Sequence, residues 1–585
     1  MFGKILYLSD NKAFIENKGA DMSGTDLLNF HLIFENGESR ILGEIVEIRE
    51  KDLEVNFLGE FTSEGYHSGI IRKASFDSKI RFINQEELIM LVGSESKTSF
   101  VLGESATYKN FNVCPPINEI FANHMCIFGN SGSGKSCGVA RIIQNILESK
   151  TFNAYNANFI FFDSFGEYKN AFRNINSINP SYNYKFVTSR VVDSTDQMIC
   201  IPTNLLSVED FGILLQCDKH TQLTMLSRAI KYAKIFSLET PEAIRTKNNI
   251  IAKALLTVLY STSTTKQKKD DIFAIIETCH TEEFNFNSTI PGIGYTRNFS
   301  ECFAIDSRGQ FGEEVLITNY ILSHIEENME EINPPETATY SLKDLAKALE
   351  FTLISEGFGQ NKNMHDDAQL LRVRLNSIIH HNVGSFFTDQ YVDANSFVRG
   401  LLSNNGSKSQ IVNINLEGID DSLAKAIVKI YCRIIFDNNK ENATRGINPI
   451  HIFLEEAHRY VQNDTDIFLI GYNIFDRIAK EGRKYGCILD IISQRPVEVS
   501  DTVISQCSNF LIFKMTHPKD IKYVEEMLPN ISQDVIDKMK VLSPGTCVAF
   551  GTAFKIPMIC KLRMPDPRPY SSSCDVSSCW NQTTN

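Results

Sequence analysis

Gly129-Asn130-Ser131-Gly132-Ser133-Gly134-Lys135-Ser136 is the stretch that decides the fold. It matches the phosphate-binding loop G-x-x-x-x-G-K-[ST], whose backbone N–H groups wrap phosphates. A chance match in a chain of this length has odds of roughly one in fifty. The flanks agree with the motif. Met125-Cys126-Ile127-Phe128 is a short apolar run of buried-strand type, and Val139, Ile142, Ile143, Ile146 and Leu147 then follow helical spacing. Glycine lets the backbone approach an anion, and a helix N-terminus favours its charge. The expected nucleotide-binding set is Gly129, Asn130, Ser131, Gly132, Ser133, Gly134, Lys135, Ser136 and the next residue, Cys137. Lys135 is expected on the β- and γ-phosphates, and the Ser136 hydroxyl on Mg²⁺.

The surrounding chain has 585 residues, room for about three to four domain-sized units. At 43% hydrophobic and 22% charged it has the composition of a globular protein with a sizeable core. The net charge of −13 argues against a surface coated with basic residues for nucleic acid, while leaving room for a localised basic channel. The 14 cysteines are scattered; Cys126, Cys432, Cys487 and Cys560 sit in apolar runs, as small core residues of a reducing compartment do. Cys574 and Cys579 lack the nearby Cys or His pair that a zinc site needs. The first residues lack the apolar core and cleavage site of a signal peptide, and no run approaches the ~18 apolar residues that span a bilayer. The expectation is a cytoplasmic chain without membrane contact.

Residues 1–105 show short alternating runs such as Ile41 to Ile48 and Leu53 to Leu58, punctuated by Gly, Asn, Asp and Ser. Five to seven such strands predict a small N-terminal β-barrel. The stretch from Phe111 to Ile120, with Pro115-Pro116, is a joint. Residues 106–200 read strand–helix–strand, the second strand being Asn158 to Phe162 and ending at Asp163. Residues 201–400 are mostly helical by pattern, with polar stretches at Thr262 to Asp271 and Asn328 to Thr339, and are read as an inserted helical subdomain. Strand signals return over 401–565: Gln410 to Leu416, Pro449 to Leu454, Gly486 to Ile492, Phe510 to Phe513 and Gly545 to Phe550. Between the first two lies a helix with Leu423, Ile427, Ile430, Tyr431 and Ile434 on one face and Asp421 or Ser422 as its cap. Strands alternating with helices at this spacing give an α/β parallel sheet. The tail, 566–585, is expected to be extended or disordered.

A second signal is Ile452-Phe453-Leu454-Glu455-Glu456-Ala457-His458. An apolar strand ending in two acids suits a Mg²⁺-dependent nucleotide hydrolase: Glu455 would hold a Mg²⁺-bound water and Glu456 would polarise the attacking water. Alone, the pair also suits a solvated helix start; the upstream phosphate loop favours the first reading. His458 would either relay a γ-phosphate signal or hydrogen-bond within the core. A third signal is Glu481-Gly482-Arg483-Lys484-Tyr485-Gly486, a strand, then Ser493-Gln494-Arg495-Pro496. Gln494 at a strand end would contact the γ-phosphate or the attacking water. Arg483 or Arg495 would be an arginine finger or form a surface ion pair.

Together the phosphate loop, Asp163 to Tyr168, Leu454 to His458, Glu481 to Gly486 and Ser493 to Pro496 resemble the HerA family of hexameric DNA-translocating ATPases. Ile504 to Asn509 resembles the segment after that family's sensor strand, Leu542 to Gly551 resembles its final strands, and the N-terminal region matches its HAS-barrel in place and size. The resemblance covers about 1–200 and 400–565 and is weak across the helical region. It implies a RecA-like P-loop ATPase core and a homo-oligomeric, hexameric ring. ATP and Mg²⁺ would lie between subunits, with double-stranded DNA in the channel. It implies Glu456 as the catalytic acid and Arg483 as the finger acting in trans. Asp163 and Glu167 fall where the family also has acids. Glu455 departs from the more usual Asp. Arg372 and Arg374 are candidates for the DNA path, or exposed helix charges.

The resemblance favours an ATP-driven motor on double-stranded DNA. It would work with a nuclease or an NAD-hydrolysing, sirtuin-like effector, in end resection or in anti-phage defence. Two other readings use the same active site: a ring scaffold that assembles and regulates an effector without sustained translocation, and a conjugation- or secretion-type ATPase. Trp580, the single tryptophan, would anchor a neighbouring subunit or hang free.

Overall fold

The computed structural model describes residues 2–9, 11–17, 27–69, 74–326, 333–356, 362–463, 466–527, 533–570 and 576–580. The alternating N-terminal runs form seven antiparallel strands: β1 (Ile5–Leu8), β2 (Lys12–Glu16), β3 (His31–Asn36), β4 (Ser39–Ile48), β5 (Asp52–Thr62), β6 (Gly65–Ser68) and β7 (Lys79–Phe82). Their order is β1-β2-β5-β4-β3-β7, with β6 on β5. Ile5, Ile15, Leu32, Ile41, Ile45 and Val55 fill the inside. Irregularities in the β4–β5 register at Leu42/Gly43 and Ile45/Glu47 bend the sheet, as bulges do. It curls until Phe2 meets Phe82 edge to face, ring centroids 5.0 Å apart. Among the described residues no ladder joins β1 to β7. On the outer side Ile33, Leu42 and Phe61 share a core with the second sheet's helix, and Lys538 Nζ reaches Glu44 at 2.6 Å.

The second sheet has twelve strands. In chain order they are β8 (Gly103–Ser105), β9 (Asn112–Val113), β10 (Met125–Phe128), β11 (Phe159–Asp163), β12 (Tyr184–Thr188) and β13 (Gln197–Met198), then β14 (Ile411–Asn415), β15 (Ile450–Leu454), β16 (Cys487–Ser493), β17 (Asn509–Phe513), β18 (Thr546–Gly551) and β19 (Met558–Lys561). In space they run β13-β12-β14-β11-β15-β16-β10-β17-β18-β19-β8-β9. From β13 to β17 all neighbours are parallel; from β17 to β9 all are antiparallel. The central strands are buried along their whole length because helices cover both faces. Each strand expected from pattern between 125 and 550 is present, within a residue or two of its expected limits. β8, in the stretch assigned to the first unit, pairs with β19 in the second sheet, and β9 lies inside the stretch read as a joint. β12, β13 and β19, with their short or polar-mixed runs, had no expectation.

Helix α1 (Lys135–Leu147) buries Val139, Ile142, Ile143, Ile146 and Leu147. Helix α2 (Asp421–Glu441) buries the five apolar residues that pattern placed on one face, but its cap is Asp420, which accepts from Leu423 N at 3.1 Å. The expected caps, Asp421 and Ser422, are already helical: Asp420 has the extended backbone a cap requires. Helix α3 (Ile474–Tyr485) covers β16 and ends on Gly486 in the left-handed region.

Residues 201–400 are chiefly helices, in two layers. Phe211, Met225, Leu226, Leu345, Leu349 and Leu371 share the core of the central sheet. A second cluster, including Ile251, Leu255, Ile272, Ile276, Phe299 and Ile317, stands apart. The polar stretch from Thr262 supplies a cap, Thr264, and the helix Thr265–Thr278; part of the stretch Asn328 to Thr339 lies outside the described residues. The inner layer is tied to α2 by Arg433, whose guanidinium meets Asp210 at 2.5 Å and donates to Leu205 O at 2.6 Å. Asp210 is buried and Arg433 partly so, and removing the arginine would strand a buried carboxylate at a cost of about 3–5 kcal/mol. Arg374 is likewise spent on the fold, donating to the carbonyls of Leu215 and Gln216 at 2.8 and 2.6 Å. Arg372 pairs with Glu350 at 3.7 Å. Cys126, Cys432, Cys487 and Cys560 are buried; Cys574 and the side chain of Cys579 lie outside the described residues. Trp580 is exposed.

Candidate nucleotide site

The chain leaves β10 through the phosphate loop and α1 and returns to the sheet at β11, with β16 and β15 between them. Where consecutive parallel strands are not neighbours, a crevice opens at their C-terminal ends. A cavity of about 800 Å³ lies there, lined by Ser131, Gly132 and Gly134–Gly138. Glu167, Glu455, Glu456 and Gln494 complete its polar wall.

The loop is held from both sides. Asn130 N donates to Lys514 O at 2.9 Å, Ser133 Oγ to Asn130 O at 2.7 Å, and Gly545 N to Ser133 O at 3.0 Å. Gly134 is left-handed, with φ +96°, and a Cβ there would meet Gly545 N at 2.7 Å. Only glycine fits. Gly134 is also the N-cap of α1, and no side chain caps that helix. Its first N–H groups are therefore available to an anion. Lys135 is 5% exposed and donates to Asn130 O at 3.2 Å. Burial pushes its pKa down, while Glu455, Glu456 and Glu167 pull it back.

The acids come from two strand ends, β11 and β15, and Gln494 from a third, β16. Glu455 follows β15; its N–H donates to Phe162 O at 3.1 Å and its Oε2 accepts from Tyr168 Oη at 2.6 Å. Burial pushes its pKa up to about 8, with the charge of Glu456 adding and the Tyr168 bond and Lys135 opposing. Glu456 stands in the left-handed region, φ +51° and ψ +48°, where a non-glycine residue costs of order 1–3 kcal/mol and often marks function. This twist turns the two adjacent acids to different partners: Gln494 Nε2 donates to Glu456 Oε1. Glu456 Oε2 is buried without a hydrogen-bond partner, with His458 Nδ1 3.3 Å away. His458 Nδ1 also lies 3.2 Å from Ser493 Oγ, so the imidazole touches the end of β16 as well as the acid.

Asp163 and Glu167, left without roles by the sequence, separate. Asp163 is fully buried and accepts from the N–H groups of Phe165, Glu167 and Tyr168 and from Asn413. It shapes the turn. Glu167 faces the cavity and accepts from the Ser136 hydroxyl, burial holding its pKa up. Its Oε2 is buried and unpartnered. The orphan oxygen of Glu167, on the side chain that meets Ser136, fits a divalent cation. Among the described residues no group of three or more His, Cys, Asp or Glu forms a closed cage, and Mg²⁺ needs none, since it keeps waters and takes phosphate oxygens.

The two arginines part company. Arg495 lies beside the cavity but is exposed and pairs with Glu498 at 3.0 Å. Arg483 lies in the last turn of α3, before β16 begins, whereas Gln494 follows its end. The seven residues of β16 put Arg483 about 23 Å from its own site. Sequence reasoning missed Tyr168 as the partner of Glu455, and it missed Phe165, Pro544 and the segment Lys561–Pro565, all of which reach the cavity. Tyr168, Phe165 and Pro544 lay within stretches already singled out; the segment Lys561–Pro565 carries no motif.

Residues 100–288 match the family described as helicase HerA, central domain. The DNA double-strand break repair helicase HerA of Sulfurisphaera tokodaii is 34% identical over 180 residues, 30% of this chain and 36% of that one. Its counterpart from Sulfolobus acidocaldarius is 32% identical over 200 residues, 34% and 40% of the two chains. The matched stretch thus spans well under half the length of these relatives. Among solved structures, the bacterial conjugative coupling protein TrwBΔN70 aligns over 81% of this chain and 90% of its own, at 11% identity and a TM-score of 0.44. The matched region contains the phosphate loop, so this part of the chain is similar to the HerA central domain.

Proposed function

We propose that the chain is an ATP-hydrolysing motor on double-stranded DNA, acting as a homo-oligomeric, hexameric ring. One observation carries the catalytic part: a phosphate loop with an uncapped helix N-terminus faces Glu455, Glu456 and Gln494 across one cavity. The names of the relatives, DNA repair helicases, support the DNA part. The partition follows the sequence reading: 1–105 a HAS-barrel-like unit, 106–200 and 401–565 a RecA-like core, 201–400 an insertion and 566–585 a tail. Among the described residues no helix is long and apolar enough to cross a membrane.

In this reading the N–H groups of the loop and of the first turn of α1 bind the phosphates of ATP, and Lys135 neutralises the β- and γ-oxygens. Ser136, steadied by Glu167, and Glu455, through water, would hold Mg²⁺, which supplies charge neutralisation at the bridging oxygens. Glu456 takes the proton of the attacking water, and Gln494 orients the carboxylate by its amide bond. The Tyr168 hydroxyl keeps Glu455 from swinging toward that water. Arg483, too far from its own site, serves a neighbour's, making hydrolysis depend on assembly. A nuclease or NAD-hydrolysing effector would use the motion, with anti-phage defence as one setting.

The test is ATP hydrolysis by the purified chain with and without linear double-stranded DNA. DNA should stimulate it, and Glu456→Gln should lower kcat by about 10²–10⁴-fold with nucleotide binding kept. Hydrolysis indifferent to DNA would remove the motor from the proposal and leave an ATP-dependent scaffold.

A further inference from the structure

The nucleotide cavity has a wall that comes from the far end of the chain. Leu562, Arg563, Met564 and Pro565 line it immediately after β19. This strap starts at the phosphate loop, where Leu562 N donates to Gly545 O at 2.9 Å and Gly545 N to Ser133 O at 3.0 Å. It then runs along α1. The buried Gln144 side chain accepts from Asp566 N and donates to Pro567 O, both at 3.0 Å. Asn170 donates to Arg568 O at 2.8 Å, and Tyr570 N to Glu167 O at 2.8 Å. Pro565, Pro567 and Pro569 fix the backbone between these ties. The tail expected to be extended or disordered after Pro565 is extended but pinned through Tyr570.

A wall so braced is a fixed surface, and its chemistry is uneven. The Arg563 guanidinium is engaged by Glu104 at 2.8 Å. Leu562 and Pro565 are buried. Met564 is left 56% exposed beside a cavity whose other walls are phosphate-binding and acidic. A thioether packs well on a flat aromatic ring. We propose, resting on the nucleotide reading of this site, that the strap is the nucleobase wall, with Met564 packing on the base face. Contact through a face rather than through edge hydrogen bonds discriminates little between purines. Pinning by Gln144, Asn170 and Glu167 places that wall at a set distance from Lys135.

The experiment measures displacement of a fluorescent nucleotide from the full chain by ATP, GTP and inorganic tripolyphosphate, each with Mg²⁺. The wild-type chain should bind ATP and GTP within a few-fold of each other and both more tightly than tripolyphosphate. Met564→Ala should weaken ATP and GTP about tenfold and leave tripolyphosphate unchanged, with Met564→Leu recovering most of the loss. Unchanged ATP affinity in Met564→Ala, or an equal loss for tripolyphosphate, overturns the proposal. So does a strong preference of the wild type for ATP over GTP. A wild-type chain that binds tripolyphosphate but gains nothing from the base rejects the wall alone. One that binds neither rejects the nucleotide site itself.

Discussion

Glu455 and Glu456 are neighbours in sequence, yet they meet different surroundings. Glu455 ends a buried strand and is capped by a tyrosine hydroxyl; Glu456 is turned by a left-handed backbone toward Gln494. That two acids follow a buried strand was legible because an apolar strand ending in acids has few uses once a phosphate loop is present. The Tyr168 bond was not, since 287 residues separate the partners. Tyr168→Phe removes a buried hydrogen bond to Glu455 while keeping the ring's packing on Phe161 and Phe172. We expect a stability loss of about 1–3 kcal/mol and a rise in the Mg²⁺ concentration that supports half-maximal hydrolysis, with the ATP affinity of the loop little changed. Magnesium titration of ATPase activity reads this. An unchanged magnesium requirement would show that Tyr168 does not position Glu455.

At the scale of elements, the sheet is assembled from strands whose faces are covered on both sides, and a buried polar group ties its central strands to a covering helix. His124, just before β10, is fully buried: its Nδ1 accepts from Leu489 N at 2.9 Å and its Nε2 donates to Ala479 O at 3.1 Å. It thereby joins β10, β16 and α3 as a neutral imidazole. Burial pushes its pKa down to about 4, with the nearby Arg483 charge adding. The sign follows from linkage. Between pH 6.5 and 4 the unfolded chain takes up a proton that the fold refuses, so stability is full above about 6.5 and falls as pH drops toward 4. From pH 7 to 5 His124 should account for about 2 kcal/mol of lost stability. Denaturant midpoints at the two pH values should differ less in His124→Gln, which can keep both hydrogen bonds, than in the wild type. Equal differences in the two proteins would refute the assignment. Element types followed from periodicity, whereas the cap of α2 slipped by one residue, because capping is set by backbone conformation and Asp420, Asp421 and Ser422 are all chemically able caps.

The whole molecule places the two arginine candidates on different footings. Arg495 is beside its own cavity and paired with Glu498; Arg483 is exposed at the opposite end of the strands. If the ring reading holds, Arg483→Ala should lower kcat by about 10³-fold with oligomer size unchanged. Mixing inactive Arg483→Ala with inactive Lys135→Ala subunits should then restore activity at interfaces that pair an intact loop with an intact arginine. Size-exclusion chromatography and an ATPase assay of the mixture would check both. No recovery on mixing would assign Arg483 to folding or to another contact.

From sequence alone came the phosphate loop, the acidic strand end, the α/β alternation and the helical character of 201–400. These are local: a motif needs consecutive residues, and periodicity needs only one element. Tertiary structure alone decided what distant segments do to each other. It joined Tyr168 to Glu455 and gave Asp163 the turn and Glu167 the cavity. It spent Arg374 on carbonyls and drew residues 561–570 along α1 to close the site. The physical reason is that a hydrogen-bond partner or a cavity wall is selected by proximity in the folded chain, and proximity across hundreds of residues leaves no periodic or compositional mark.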